Sequence, residues 1–328
     1  MDELTSAISK SHDTAVGPDD IHYQMLKHLS VSTKHTLLNA LNNIWLSGAF
    51  PSTWRTSTVI PILKPGIEKS DPGSYRPISL TSCICKIMER MINDRLVWYL
   101  EKNNLLTPVQ CGFRKCRSTT DHLVRLETFV CEAFVQQQHC IAVFFDLEKA
   151  YDTAWKHGIM KDLHAAALRG RLPIFIAGFL KDRKFQVRLS SCLSMLHDQE
   201  MGVPQGSILS VTLFGLKINF IVNAISPGVE CSLYVDDFLI CYRSKHISII
   251  ERHIQQCLNK LSHWADTNGF KFSSSKTVCM HFCRLCKPHV DPLLTLNGTP
   301  IPVVEETKFL GIIFDRKLFH SSHTSSER

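Results

Sequence analysis

Asp236 and Asp237 sit between two strongly apolar stretches, CSLYV (231–235) and FLICY (238–242), and nothing else in the chain restricts the fold as much. Five-residue apolar runs separated by two polar residues read as strands around a tight turn. Aspartate tolerates turn geometry, so Asp-Asp at a hairpin tip is by itself ordinary. It is less ordinary beside CIAVFFDL (140–147), a β-rich apolar run too short for a helix, which ends on another carboxylate, Asp146.

The order of elements brings these carboxylates together. The strand at 140–147 is followed by an amphipathic helix near 152–168, an insertion, and a helix at about 207–225. The 231–242 hairpin comes next, then a helix over about 246–268 through Ile250, Ile254, Cys257, Leu261 and Trp264, stopped by Asn268-Gly269, and a strand at 276–283. Without the insertion this is the split βαβ, ferredoxin-like order, an antiparallel sheet with helices on one face. The end of its first strand lies beside the hairpin tip, so Asp146 and Asp236-Asp237 are expected to converge. Three carboxylates at one point repel and raise one another's pKa. A divalent cation removes the conflict, and two of them about 4 Å apart serve phosphoryl transfer.

Upstream, residues 33–47 place Leu37, Leu38, Leu41, Ile44 and Trp45 on one helical face. Residues 52–82 are turn-rich and extended, and helices are expected at about 83–103 and 120–137. Hydrophobic residues make up 44% of the 328, enough for a packed core. No apolar run reaches the roughly 20 residues that span a bilayer, and the acidic, polar start is no signal peptide, so a soluble intracellular protein without a membrane partner is expected, nucleus and cytoplasm both open. The net charge of +7 permits a polyanionic partner without demanding one. The thirteen cysteines lack framework spacing and read as reduced thiols. Cys279, Cys283, Cys286 and His289 follow a C-x3-C-x2-C-x2-H spacing that matches no standard zinc knuckle or ribbon, and they are read as structural.

FFDLEKAYDTAW (144–155), GVPQGSILS (202–210), LYVDD (233–237) and FLGIIFD (309–315) resemble, in order and rough spacing, the palm motifs of reverse transcriptases. GPDDIHYQMLKHL (17–29), WRTSTVIPILKPG (54–66), SYRPISLTS (74–82) and GFRKCRSTTDHL (112–123) resemble the fingers motifs of non-LTR retrotransposon enzymes, those of the jockey and X-element type above all. The resemblance covers nearly all of residues 14–316. It implies an α+β right-hand polymerase with fingers and palm, working as an RNA-directed DNA polymerase. Such an enzyme adds dNTPs to a DNA primer's 3′-hydroxyl on an RNA template, with two Mg²⁺ ions as cofactors and Mn²⁺ as a substitute.

Carried over residue by residue, the resemblance makes Asp146, Asp236 and Asp237 the metal-binding and catalytic carboxylates. Tyr151 resembles the bulky residue under the incoming sugar that excludes a 2′-hydroxyl, although an aromatic there also packs as core. Gln205 and Gly206 resemble the nucleotide-contacting loop, and equally a helix entry capped by Ser207. Lys64 and Arg76 resemble the residues that grip the triphosphate, with a solvated surface charge as the plain alternative for Lys64. Arg114, Lys115 and Arg117 are template-binding candidates. Lys276 resembles the residue that protonates the leaving pyrophosphate, and Asp152 is read as structural or orienting rather than as a metal ligand.

Asp20 and Cys116 stand where the family usually has glycine, and a lost glycine would strain a backbone that needed positive φ. The resemblance divides the chain into an N-terminal extension (1–13), fingers (14–139), palm (140–290), a hairpin and palm–thumb junction (291–316), and a truncated or frame-shifted tail (317–328), with the thumb largely absent. Endonuclease and RNase H domains are not expected in this chain. Two alternatives remain: a catalytically impaired relic that only binds nucleic acid, and another palm-fold enzyme such as a nucleotidyl cyclase. The second leaves the basic motifs at 54–123 unexplained.

Overall fold

The computed structural model describes residues 1–66, 68–285 and 290–318, and elements are numbered here along the whole chain. Cys286, His289 and most of the tail expected at 317–328 lie outside the described residues. The chain forms two compact units, each discontinuous: Met1–Leu105 with Tyr151–Lys217, and Leu106–Ala150 with Ile218–Arg328. These boundaries differ from a simple succession of 14–139 and 140–290, because strands far apart in sequence pair within each unit.

The first unit begins with helices α1 (Asp2–Ser9), α2 (Tyr23–Lys27) and α3 (Val31–Ser47). Strands β1 (Thr56–Leu63) and β2 (Tyr75–Leu80) then form an antiparallel pair, with Val59 opposite Ser79. Helix α4 (Cys83–Lys102) starts where the Ser82 side chain accepts the Cys85 N–H, and it buries Ile87, Met88, Ile92, Leu96 and Leu100. This is the helix expected from the spacing of its apolar residues.

After residue 150 come α6 (Ala150–Thr153), α7 (Lys156–Ala165), α8 (Arg171–Leu180), β4 (Lys184–Leu189), β5 (Cys192–Leu193), β6 (His197–Asp198) and α9 (Ile208–Ile218). Strand β4 joins β1 in parallel, with Thr56 opposite Lys184, which gives a sheet ordered β2-β1-β4-β5 with β6 beside β4. The single helix expected over 152–168 is broken in two. The Tyr151 and Ala154 carbonyls accept from the Val203 and Gly202 amides (2.9 and 3.0 Å), so they are drawn out of a helical ladder.

The second unit holds α5 (Thr119–Val135), β3 (His139–Phe145), β7 (Glu230–Tyr234), β8 (Asp237–Ser244), α10 (Ile247–Asn268) and β9 (Val278–Phe282). Two small hairpins follow, β10 (Thr295–Leu296) with β11 (Thr299–Pro300) and β12 (Glu306–Phe309) with β13 (Ile312–Asp315). The main sheet is antiparallel in the order β7-β8-β3-β9, the ferredoxin-like arrangement expected from the sequence.

One detail differs. All seven residues of β3 are buried, so both faces of the sheet need cover. Leu126, Val130 and Ala133 of α5, with Phe309 and Phe314, pack on the face of Cys140, Ala142, Phe144 and Leu239. On the opposite face, α10 stacks His253 on Tyr242, ring centroids 4.6 Å apart. Helices therefore lie on both sides rather than on one. No helix among the described residues is long and apolar enough to cross a membrane.

Candidate active site

In the second unit, β3 ends at Phe145, which lies opposite Phe238, the second residue of β8. Asp146, one step further, thus meets the tip of the β7–β8 hairpin, where Tyr234 pairs with Asp237 across Val235 and Asp236. The carboxylates feel one another. Partial loss of hydration first, then the charges of Asp236 and Asp146, push the Asp237 carboxyl up to about 6, although the residue is still exposed to solvent. The convergence expected from the order of strands is present.

The turn itself is strained. Val235, a β-branched residue, has φ +61°, a conformation that such side chains adopt only when neighbours impose it. The neighbours are residues 109–112. Leu233 donates to the Val109 carbonyl (3.2 Å) and Cys111 donates to that of Leu233 (3.1 Å). The buried Gln110 side chain accepts from the Val235 amide (3.1 Å) and the Gly112 amide (2.8 Å). Gly112 is needed for this approach, since a Cβ there would stand 2.4 Å from a Val235 methyl and 2.7 Å from its nitrogen. Sequence reasoning missed Gln110; its only signal was its place just before the GFRK motif.

On the other side of Asp146, the Ser273 amide donates to the Asp146 carbonyl (2.8 Å), and Lys276 Nζ lies 3.4 Å from Asp146 Oδ2. Lys276 thus stands beside the carboxylates. The donor set is all oxygen, with one ammonium at its edge. That chemistry fits a hard divalent cation such as Mg²⁺.

In the first unit, Gln205 and Gly206 form a loop against β2. The Ser79 amide donates to the Gln205 carbonyl (2.6 Å), and Gln205 Nε2 donates to Asp152 Oδ1 (3.4 Å). Gly206 has φ +121°, and a Cβ would stand 2.5 Å from the Ser79 carbonyl oxygen, so only glycine fits. A cavity of about 500 Å³ opens here, lined by Val59, Pro77, Ser79, Asp152, Val203 and Gln205 among others. Tyr151, half-buried, stacks on Phe214 with centroids 4.5 Å apart.

Glu89 of α4, fully buried, caps α9. Its carboxylate accepts from the Ser207 hydroxyl and from the Ile208 and Leu209 amides (2.9 and 3.2 Å). Ser207, expected as the cap, instead serves Glu89. The charge is compensated nearby by buried Arg183, whose own pKa is lowered by burial and held up in part by Cys85 and Glu89.

The reverse transcriptase (RNA-dependent DNA polymerase) family profile matches residues 63–314. The chain belongs to the reverse transcriptase family. It is 30% identical over 98% of its length to the probable RNA-directed DNA polymerase from transposon BS of Drosophila melanogaster, of which it covers 36%. It is also 30% identical to that from the X-element of the same fly (98% of this chain, 35% of the relative), and 29% identical to the polymerase of mobile element jockey of Drosophila funebris (99% and 36%). The chain spans about a third of the length of these curated relatives. Among solved structures, telomerase from Candida tropicalis shares its fold, with TM-score 0.56 at 14% identity over 90% of this chain and 49% of the telomerase. A C-terminally truncated form of that telomerase gives 0.54 at 12% identity over 86% and 59%.

The remaining residues expected from the resemblance are found in both units. Lys64 and Arg76 lie at the turn end of β1–β2, where Lys64 Nζ donates to the Gly73 carbonyl (3.0 Å) and Arg76 is exposed. Of the template-binding candidates, Lys115 and Arg117 are exposed. Arg114 donates to the Thr107 and Gln110 carbonyls (2.8 and 2.9 Å), so its guanidinium braces the loop that carries Gln110. Asp20 and Cys116, in the places where glycine is usual, have φ +54° and +58°.

Proposed function

We propose that this chain carries the polymerising core of an RNA-directed DNA polymerase of the non-LTR retrotransposon type. It adds deoxynucleotides to a primer 3′-hydroxyl on an RNA template. The observation that supports this most is the crowding of Asp146, Asp236 and Asp237 at one end of one sheet, with Lys276 against Asp146.

Asp146, Asp236 and Asp237 would hold two Mg²⁺ ions, for which Mn²⁺ is the natural substitute. When bound, the ions neutralise charge on the transferring phosphoryl group and on the attacking and leaving oxygens. Lys276 brings a proton to the carboxylate site and is suited to give it to the departing pyrophosphate. Lys64 and Arg76 bind the triphosphate, Gln205 and Gly206 the nucleotide, and Tyr151 the sugar, where its ring leaves no room for a 2′-hydroxyl. Asp152 orients Gln205. Lys115 and Arg117, with Arg114 behind them, meet template phosphates, a contact that weakens with salt.

Primer extension by the purified chain on poly(rA)/oligo(dT) with Mg²⁺ tests this. Asp236→Ala is expected to lose activity by roughly a thousand-fold, about 4 kcal/mol of transition-state stabilisation. Extension unaffected by that change removes the site assignment. Duplex binding with no extension by the unaltered chain identifies the relic that only binds nucleic acid.

A further inference from the structure

Away from the carboxylates, one face of the second unit's sheet gathers a second set of metal-binding side chains. His139 begins β3, and His281 and Cys283 alternate along β9 and its end. Ile141 pairs with His281 and Cys140 with Phe282, so the same register brings Cys283 beside His139. One nitrogen from each imidazole and the Cys283 sulfur all lie within 4.8 Å of one another. The three residues are buried, at 7%, 0% and 8% exposure.

We propose that His139, His281 and Cys283 form a zinc site that clamps β3 to β9, with a water molecule as the fourth ligand. The decisive contact is behind His281. Its Nδ1 meets Asp291 Oδ1 at 3.1 Å, and the other oxygen of Asp291 accepts from Arg316 (2.9 Å). A carboxylate on Nδ1 fixes the proton there and turns the Nε2 lone pair inward, as in the carboxylate–histidine–zinc arrangement. That Nε2 faces His139 Nδ1 at 3.0 Å. The Leu285 amide donates to Cys283 Sγ (3.4 Å) and orients the sulfur; burial pushes this thiol up, so a bound zinc would have to displace its proton.

Tetrahedral zinc, with bonds of about 2.0–2.3 Å, sets its donor atoms roughly 3.3–3.8 Å apart. The two imidazole nitrogens stand 3.0 Å apart and all three donors lie within 4.8 Å of one another, a donor set of the size the ion requires. Imidazole and thiolate donors suit zinc and disfavour Mg²⁺, so the site does not compete with the carboxylates for the same cation. Cys279, on the same face of β9, stands outside the donor group.

The experiment uses the full chain, dialysed after purification and analysed for zinc, then reloaded with Co²⁺. Zinc retained at one-to-one stoichiometry is expected, and the cobalt form should show tetrahedral d–d bands with a thiolate-to-cobalt charge-transfer band. Cys283→Ser should abolish the charge-transfer band, whereas Asp236→Ala and Cys192→Ser, which alters an exposed thiol, should keep it. A folded chain that retains no zinc, or a charge-transfer band unchanged in Cys283→Ser, overturns the proposal. Should Cys283→Ser fail to fold, the unaltered chain still decides, because a cobalt spectrum without a thiolate band excludes the site. None of these readings depends on polymerisation.

Discussion

At the scale of single residues, Asp237 is the most informative group. Its folded-state carboxyl is raised to about 6, above the ordinary aspartate value near 3.9. A raised acid stabilises the fold when protonated in both states, below about pH 4, and that contribution is lost as pH rises through about 6. Cation binding runs the other way, because the ion needs the ionised form. Mg²⁺ affinity, followed by titration calorimetry, should therefore climb between about pH 5 and 7. Asp236→Asn should move the climb to lower pH, and an affinity flat across this window would show that the carboxylates do not titrate together. Cys116 makes a second case. Its φ of +58° is costly for a side chain with a Cβ, so Cys116→Gly should raise stability by about 0.5–1 kcal/mol, read from the urea midpoint. No rise would mean that the segment relaxes freely.

Among elements, the β7–β8 hairpin depends on a partner distant in sequence. Gln110→Ala leaves the Val235 and Gly112 amides without their acceptor, at a cost of about 1–3 kcal/mol. Faster hydrogen exchange at residues 233–237 is expected, with Gln110→Glu largely restoring protection. Unchanged exchange in Gln110→Ala would show that Val235 keeps its geometry unaided. The hairpin, β3, β9 and α10 were legible in the sequence because period-2 and period-3.6 patterns and short apolar runs are local. Asp146, Asp236 and Asp237 followed from the order of those elements. Gln110 and Glu89 were not legible, since a polar side chain does not disclose a backbone partner more than 100 residues away. Nor was the break between α6 and α7, which depends on amides at 202–203. Lys276 was readable only through resemblance, and the fold sets it beside Asp146. The parallel pairing of β1 with β4 had no local mark at all.

The whole molecule is threaded twice through each of its units. A cut at residue 150 separates β1 from β4 and β3 from β8, so neither 1–150 nor 151–328 should fold alone. Circular dichroism and amide NMR of the two fragments would check this, and a cooperative melt from either would contradict it. The same threading bears on synthesis. The fully buried strand β3 emerges from the ribosome long before its neighbour β8. At about 5–20 residues per second, the roughly 90 intervening residues take on the order of 5–20 seconds. For that interval six apolar residues and His139 have no sheet to join. The nascent chain is then most open to aggregation, and a holding chaperone would have its clearest reason to bind at β3.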